Sequence, residues 1–282
     1  MKRQAIIEAA CSFIRHSEDN HISEFAAISP NVMGMKLYEE PIFAFGSADD
    51  EYFELFKDPA IIGKHFLSPK EWLLQAKTVI SFFLPFSEAV KAGNRKDWSQ
   101  PSEEWLHGRI EGQALLDKLC LHLNVTIIQA GYRSIVPHLD ERHWTNTACS
   151  DDAAHPERSF SSNWSERHVA FVCGLGTFSL SKGLITRKGI CGRIGSLVTD
   201  LPVRPNQRAY SDIYEYCNKC GACVNNCPVM AISIENGKDH IPCSKFLDET
   251  KERFKPRFGC GKCQVAVSCE SRIPGKHISK LT

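Results

Sequence analysis

The chain has 282 residues, 43% of them apolar and 24% charged, with a formal net charge of +1, which is the composition of a globular protein with room for one large domain or two smaller ones. Near-neutral charge gives no general electrostatic footprint for nucleic acid or an anionic membrane. No apolar run approaches the roughly 20 residues of a membrane span; the longest, 79–86, is interrupted by Ser81 and Pro85.

Residues 4–15 place Ile6, Ile7, Ala10, Cys11 and Ile14 at helical spacing, which predicts an amphipathic helix packed on the main domain. Glu8 falls inside what would be the apolar core of a signal peptide, so the N-terminus does not read as one. From Asp19 to Asp58 the mixture of Gly, Pro and aromatic residues reads as irregular. Ser68 followed by Pro69 and Glu71 is a helix start. Thr78 to Leu84, β-branched and aromatic, reads as a buried strand ended by Pro85. Residues 87–103 are polar and predict a surface loop. Ser102 then caps a helix over 103–123, with Leu115, Leu116, Leu119 and Leu123 as its apolar face. Asn124 ends that helix, and Val125 to Ile128 predicts a second strand.

Residues 130–163 form a long connection containing His138, His143, Trp144 and His155, with Trp164 just beyond. Loops of that length are usually functional. The side chains suit either the lining of a pocket over a flat cofactor or an ordinary solvated surface. Residues 164–173 predict a helix, followed by Gly174 and Gly176, and residues 196–202 another strand. The two glycines are a weak phosphate-loop signal. Ser179 stands where the third glycine of a dinucleotide fingerprint belongs, so a nicotinamide-binding reading is rejected. Leu201 to Pro205 reads as a linker dividing residues 1–203 from a C-terminal domain over 204–282.

That C-terminal domain carries the strongest motif. Cys217, Cys220, Cys223 and Cys227-Pro228 form the C-x2-C-x2-C-x3-C-P run of two-cluster ferredoxins. Three cysteines at two-residue intervals wrap one corner of a [4Fe–4S] cubane, and the fourth is turned away by the proline towards a second. Cys243, Cys260, Cys263 and Cys269 complete eight cysteines, the number that two cubanes require. A zinc site or disulfides would leave several of them unexplained. Of the others, Cys11 and Cys120 read as small core residues. Free thiols and cubanes point to a reducing cytosol.

Three stretches together resemble the epoxyqueuosine reductases, cobalamin- and iron–sulfur-dependent enzymes related to the reductive dehalogenases. They are Gln75 to Phe86, then Glu166-Arg167 with Gly174-Leu-Gly176 and Gly195 to Pro202, and finally the order of the cysteines, including Gln264 after Cys263. The resemblance implies an α+β fold, a nitroreductase-like α/β sandwich domain followed by a two-[4Fe–4S] ferredoxin-like domain. It also implies that Cys217, Cys220, Cys223 and Cys269 hold one cluster and Cys227, Cys243, Cys260 and Cys263 the other. Glu166, Arg167, Gly174 and Gly176 would face a cofactor, cobalamin or alternatively flavin. The sequence departs from the family in three ways. The loop from Cys263 to Cys269 is two residues longer, Phe160 stands where an aspartate acts as proton donor, and the chain reads as a shortened member without the C-terminal helical-repeat domain.

The expected function is an iron–sulfur oxidoreductase in which two [4Fe–4S] clusters deliver electrons to cobalamin or to substrate in the N-terminal domain. His138, His143 and His168 are the candidate proton donors, because histidine titrates in the useful range. An external donor of the ferredoxin or flavodoxin type would supply the electrons, with a small molecule or a protein redox partner accepting them. The alternative is an electron-transfer protein serving a corrinoid protein or reductase without substrate chemistry of its own. Epoxyqueuosine reduction in tRNA is the third reading, weakened by Phe160.

Overall fold

The computed structural model describes residues 1–150 and 156–275. Helix α1 (Arg3–His16) and strand β1 (Ile42–Ser47) are followed by two single-turn helices, α2 (Tyr52–Leu55) and α3 (Pro69–Trp72). Strand β2 (Thr78–Pro85), helix α4 (Glu88–Asn94) and the long helix α5 (Glu103–Gln129) come next, then β3 (Ser134–Ile135), α6 (Glu166–Cys173), the hairpin β4 (Gly176–Phe178) and β5 (Leu184–Thr186), and β6 (Gly192–Thr199). The C-terminal part contains α7 (Ala222–Asn225), a short hairpin β7 (Ile232–Ser233) and β8 (Gly237–Lys238), and α8 (His240–Arg253).

An antiparallel sheet in the order β1-β2-β6-β3 forms the centre. Side chains alternate across a strand. Ile80, Phe82 and Leu84 of β2, with Phe43 and Phe45 of β1, join Ile6, Ala10 and Ile14 of α1 and Leu115, Leu116 and Leu119 of α5 in one apolar cluster. Val79 and Phe83, with Ile42 and Ala44, pack on the other face against Val169 to Cys173 of α6. Covering both faces explains why β2 is buried at every position and reads as a continuous apolar run. The fold is thus a mixed α/β layer structure with an antiparallel sheet.

Three sequence expectations are corrected. First, residues 125–128 are not a strand, because α5 continues to Gln129. Ile127 follows Leu123 by one helical turn and is fully buried, whereas Val125 and Ile128 are half exposed. Packing on one helical face overrides the β-branched preference for strands. Second, the irregular stretch contains β1, whose register runs Ile42↔Phe83 to Ser47↔Thr78. Third, the polar segment after Phe86 is not all loop: Ser87 accepts a hydrogen bond from the Val90 amide and caps α4.

The chain after Pro202 is docked, not free. The Asn206 side chain accepts from the Phe45 amide while its own amide donates to the Phe45 carbonyl. Arg208 pairs with Asp50, and Tyr210 Oη donates to the Phe171 carbonyl. The cysteine-rich part is stitched to α4 as well. Buried Lys262 donates to Asn94, Arg95 pairs with Glu270, and Val265 enters the main core. No described helix is long and apolar enough to cross a membrane.

Candidate active site: two cysteine-lined cavities

The eight cysteines of the C-terminal part divide between two adjacent cavities. The smaller, about 20 Å³, is lined by Cys217, Cys220, Cys223 and Cys269, together with Leu180, Ile185 and Val267. The larger, about 180 Å³, is lined by Cys227, Cys243, Cys260 and Cys263, and extends to α5 and the start of β6. Cys263 borders both. Local backbone makes the split. Gly221 in a left-handed conformation starts the single turn α7, which brings Cys223 inward. Beyond that turn Cys227 faces the other cavity, where its Sγ accepts from the Ala231 amide at 3.2 Å.

Among the described residues, no group of three or more His, Cys, Asp or Glu side chains closes around a single metal ion. The sulfurs of each set line one cavity, a donor set of the kind a polynuclear group takes. The electrostatics agree. Burial, then the neighbouring Cys217, Cys223 and Cys220 sulfurs, push the Cys269 thiol up to about 12. Cys223 is likewise raised to about 12, by burial and then by Cys263, Cys217 and Cys220. In the larger cavity burial raises Cys260 to about 12, with Cys263 and Cys243 adding to it. Each ionised sulfur makes the next harder to ionise, so four thiolates coexist in one cavity only on a strongly positive centre. The residues present therefore fit iron–sulfur clusters.

The cavities differ in charge. The larger one is bordered by Arg109, Arg193 and Lys238, with Lys262 beside Cys260 and Arg167 beside Cys263. Lys262 Nζ donates to the Asn94 carbonyl at 2.8 Å and to Asn94 Oδ1 at 2.9 Å. Among the described residues, no Lys or Arg lines the smaller cavity.

Apart from Arg167, beside Cys263, the other residues anticipated from the sequence do not gather at either cavity. His138 lies under α5, with Nε2 3.0 Å from Asp117 Oδ1 and Nδ1 3.5 Å from Glu166 Oε1. Burial pulls its pKa down, but the two carboxylates more than reverse this and raise it to about 9. His143 is depressed, by burial first. His168 shares a 2.7 Å contact with Ser165 and sits against the rings of Phe56 and Phe178. Burial and then Arg167 lower it to about 3, so it is neutral at physiological pH. Trp164 is a core residue, stacked on Phe53 and Phe66 with Nε1 donating to Ser196 Oγ. His155 lies outside the described residues.

Of the four residues expected to face a cofactor, Glu166 turns inward to His138, and Arg167 Nη1 donates to the Lys182 carbonyl. Gly174 ends α6 at φ +92°, where only glycine is unstrained. A Cβ on Gly176 would meet the Ile185 carbonyl oxygen of the paired strand, so this glycine permits close strand approach. Both glycines are explained by the fold. Cys120, Cys173 and Cys191 are buried thiols raised by burial and belong to the cores.

Known proteins show the same pairing of elements. The 4Fe-4S binding domain family matches residues 210–233, the segment containing Cys217, Cys220, Cys223 and Cys227. The epoxyqueuosine reductase of Bacillus anthracis is 30% identical over 112 residues, 36% of this chain and 28% of that protein. That of Leadbetterella byssophila is 34% identical over 102 residues, 32% of each. Over these segments the chain is similar to epoxyqueuosine reductases. The matched segments cover about a third of these curated relatives. A trichloroethene reductive dehalogenase of Dehalococcoides mccartyi is 37% identical over 73 residues, 25% of this chain and 13% of that one.

The fold of this epoxyqueuosine reductase-like chain is shared with solved structures. That of epoxyqueuosine reductase from Streptococcus thermophilus superimposes with a TM-score of 0.53 at 17% identity, over 96% of this chain and 66% of that one. A catabolic reductive dehalogenase in complex with 3-bromo-4-hydroxybenzoic acid gives 0.51 at 13% identity, over 96% and 37%. Sequence reasoning missed Arg109, Arg193, Gln113, Asp117, Asn94 and Lys262. Lys262 was in view inside Cys260-Gly-Lys-Cys263, but nothing in that motif says that a lysine between two cysteines is buried.

Proposed function

We propose that this epoxyqueuosine reductase-like chain is an oxidoreductase in which each cavity holds one [4Fe–4S] cluster, passing electrons from an external donor towards the open end of the larger cavity. Cys217, Cys220, Cys223 and Cys269 would hold the first cluster, and Cys227, Cys243, Cys260 and Cys263 the second. One observation carries the reading: eight cysteines divide four and four between two cavities that share Cys263 as a wall. Cys220 is the exposed ligand of the set, so a ferredoxin- or flavodoxin-type donor would deliver electrons on that side. The partly buried larger cavity is the side from which they leave.

Cobalamin is the second cofactor this reading calls for, and when bound it supplies a low-valent, strongly nucleophilic cobalt. The structure bears on it through orphaned buried donors and flat walls. Tyr38 Oη and Arg193 Nε lack hydrogen-bond partners among the described residues, and the rings of Phe86, Trp105 and Phe246 give the larger cavity apolar sides. Trp105, Arg109 and Arg193 would hold the group. His138 would store the proton for the reduced substrate. Asp117 and Glu166 hold it there, while Gln113 bridges Asp117 and Arg193 and so ties that store to the cavity wall. Phe160 stacks on His240 at 5.2 Å and has no proton to give, which favours a small-molecule substrate over tRNA.

The test is anaerobic purification after supplying hydroxocobalamin, with visible and EPR spectra of the product. Bound corrinoid showing a base-off Co(II) signal beside cluster signals supports the reading. Clusters without corrinoid uptake would replace it by electron transfer to a protein partner.

A further inference from the structure

The larger cavity has two ends of different chemistry. At one end are the four cysteines, with Lys262 beside Cys260 and with Lys238 and Arg167 beside Cys263. At the other, Arg109 from α5 and Arg193 from β6 both line the cavity, and the charge of Arg193 reaches Arg109.

Their own partners do not neutralise them. Arg109 lies over the Phe258 ring at 4.7 Å and makes no ion pair among the described residues. Arg193 donates to the neutral side chain of Gln113, and its buried Nε has no partner among the described residues. Asp117 is the carboxylate whose field reaches Arg193, but its Oδ1 already accepts from Gln113 at 2.7 Å and lies 3.0 Å from His138 Nε2. Two guanidiniums brought together in a partly apolar wall without a carboxylate between them cost free energy unless an anion joins them. Arginine is also the residue suited to gripping carboxylate or phosphate through paired N–H donors.

We infer that Arg109 and Arg193 form the binding site for the carboxylate or phosphate of an organic anion, whose apolar body lies against Phe86, Trp105, Phe246 and Leu247. Two sources could present this chemistry: a free anionic substrate, or the nucleotide-loop phosphodiester of cobalamin. The inference rests on the proposed function only in that a cluster occupies the sulfur end.

Anaerobically purified protein with its clusters in place is titrated calorimetrically with benzoate, phenyl phosphate and neutral benzyl alcohol. The two anions bind and the alcohol does not. Arg109→Met and Arg193→Met each weaken anion binding at least tenfold, Arg193→Lys weakens it less, and Lys64→Met on the exposed surface leaves it unchanged. Only variants with wild-type iron content and cluster absorbance are scored, which removes misfolding as an explanation. In a parallel arm the same variants take up hydroxocobalamin or cobinamide, which lacks the phosphodiester. Weakened uptake confined to hydroxocobalamin assigns the arginines to the cofactor, and weakened binding confined to the small anions assigns them to substrate. Equal binding of benzyl alcohol and benzoate, or undiminished binding of every anion by both methionine variants, overturns the inference. Iron far below two clusters per chain would instead overturn the proposed function, whatever the anions do.

Discussion

At His138 burial and charge act in opposite directions on one imidazole, and charge prevails. Removal from water favours the neutral ring, yet Asp117 on α5 and Glu166 on α6 hold it positive and raise its pKa to about 9. His143 and Arg193 also bear on this cluster, the first through His138 and Glu166 and the second through Asp117. A group whose folded pKa lies above its unfolded value stabilises the fold fully below the unfolded pKa, about 6.5, and loses that contribution as pH rises through the folded one. Replacing His138 by Gln is therefore expected to lower the melting temperature most at pH 6 and least at pH 9.5; an equal drop at both would contradict the charged imidazole. Lys262 is a second buried cation, donating to Asn94 at 2.8 and 2.9 Å. Asn94→Ala removes one of those acceptors and, on the strength of hydrogen bonds to charged groups, costs about 2 kcal/mol in denaturant unfolding. Cysteine spacing disclosed the eight sulfurs, but nothing local disclosed Arg109 and Arg193, which the fold alone brings together.

At the scale of elements, legibility followed how far one neighbour dominates. Strand β2 was readable because helices cover both its faces and every position is apolar or small. The start of α5 was readable because Ser102 accepts from the Trp105 amide, a capping interaction written in three adjacent residues. Strand β1 was hidden between Pro41 and Gly46, since its strand character comes from pairing with β2. The end of α5 was misread because Val125 to Ile128 satisfies a strand pattern locally, while the decisive contact is Ile127 in the core. These two geometries predict different mutant costs. Ile127→Ala is expected to cost about 3 kcal/mol, as for a fully buried aliphatic side chain. Val125→Ala, half exposed on the helix, should fall within about 0.5 kcal/mol of wild type. Similar losses at both positions would argue against the helical continuation.

At the scale of the molecule, the cysteine-rich part and the sheet domain share their boundary. Val265 enters the main core, Arg95 grips Glu270, and the larger cavity is walled by α5 and β6 as well as by cysteines. Electrons reaching Cys227, Cys243, Cys260 and Cys263 would thus arrive at a surface built by both parts. Arg109, Arg193 and Lys238 line that cavity, and no Lys or Arg is among the described residues that line the other. The most direct test of the central claim is iron and sulfide analysis with EPR of the reduced protein, comparing wild type with Cys227→Ser. The division of ligands predicts about eight irons per chain in wild type. In the variant it predicts loss or disturbance of the second cluster while the one on Cys217, Cys220, Cys223 and Cys269 survives. About four irons in wild type, unchanged by Cys227→Ser, would contradict it.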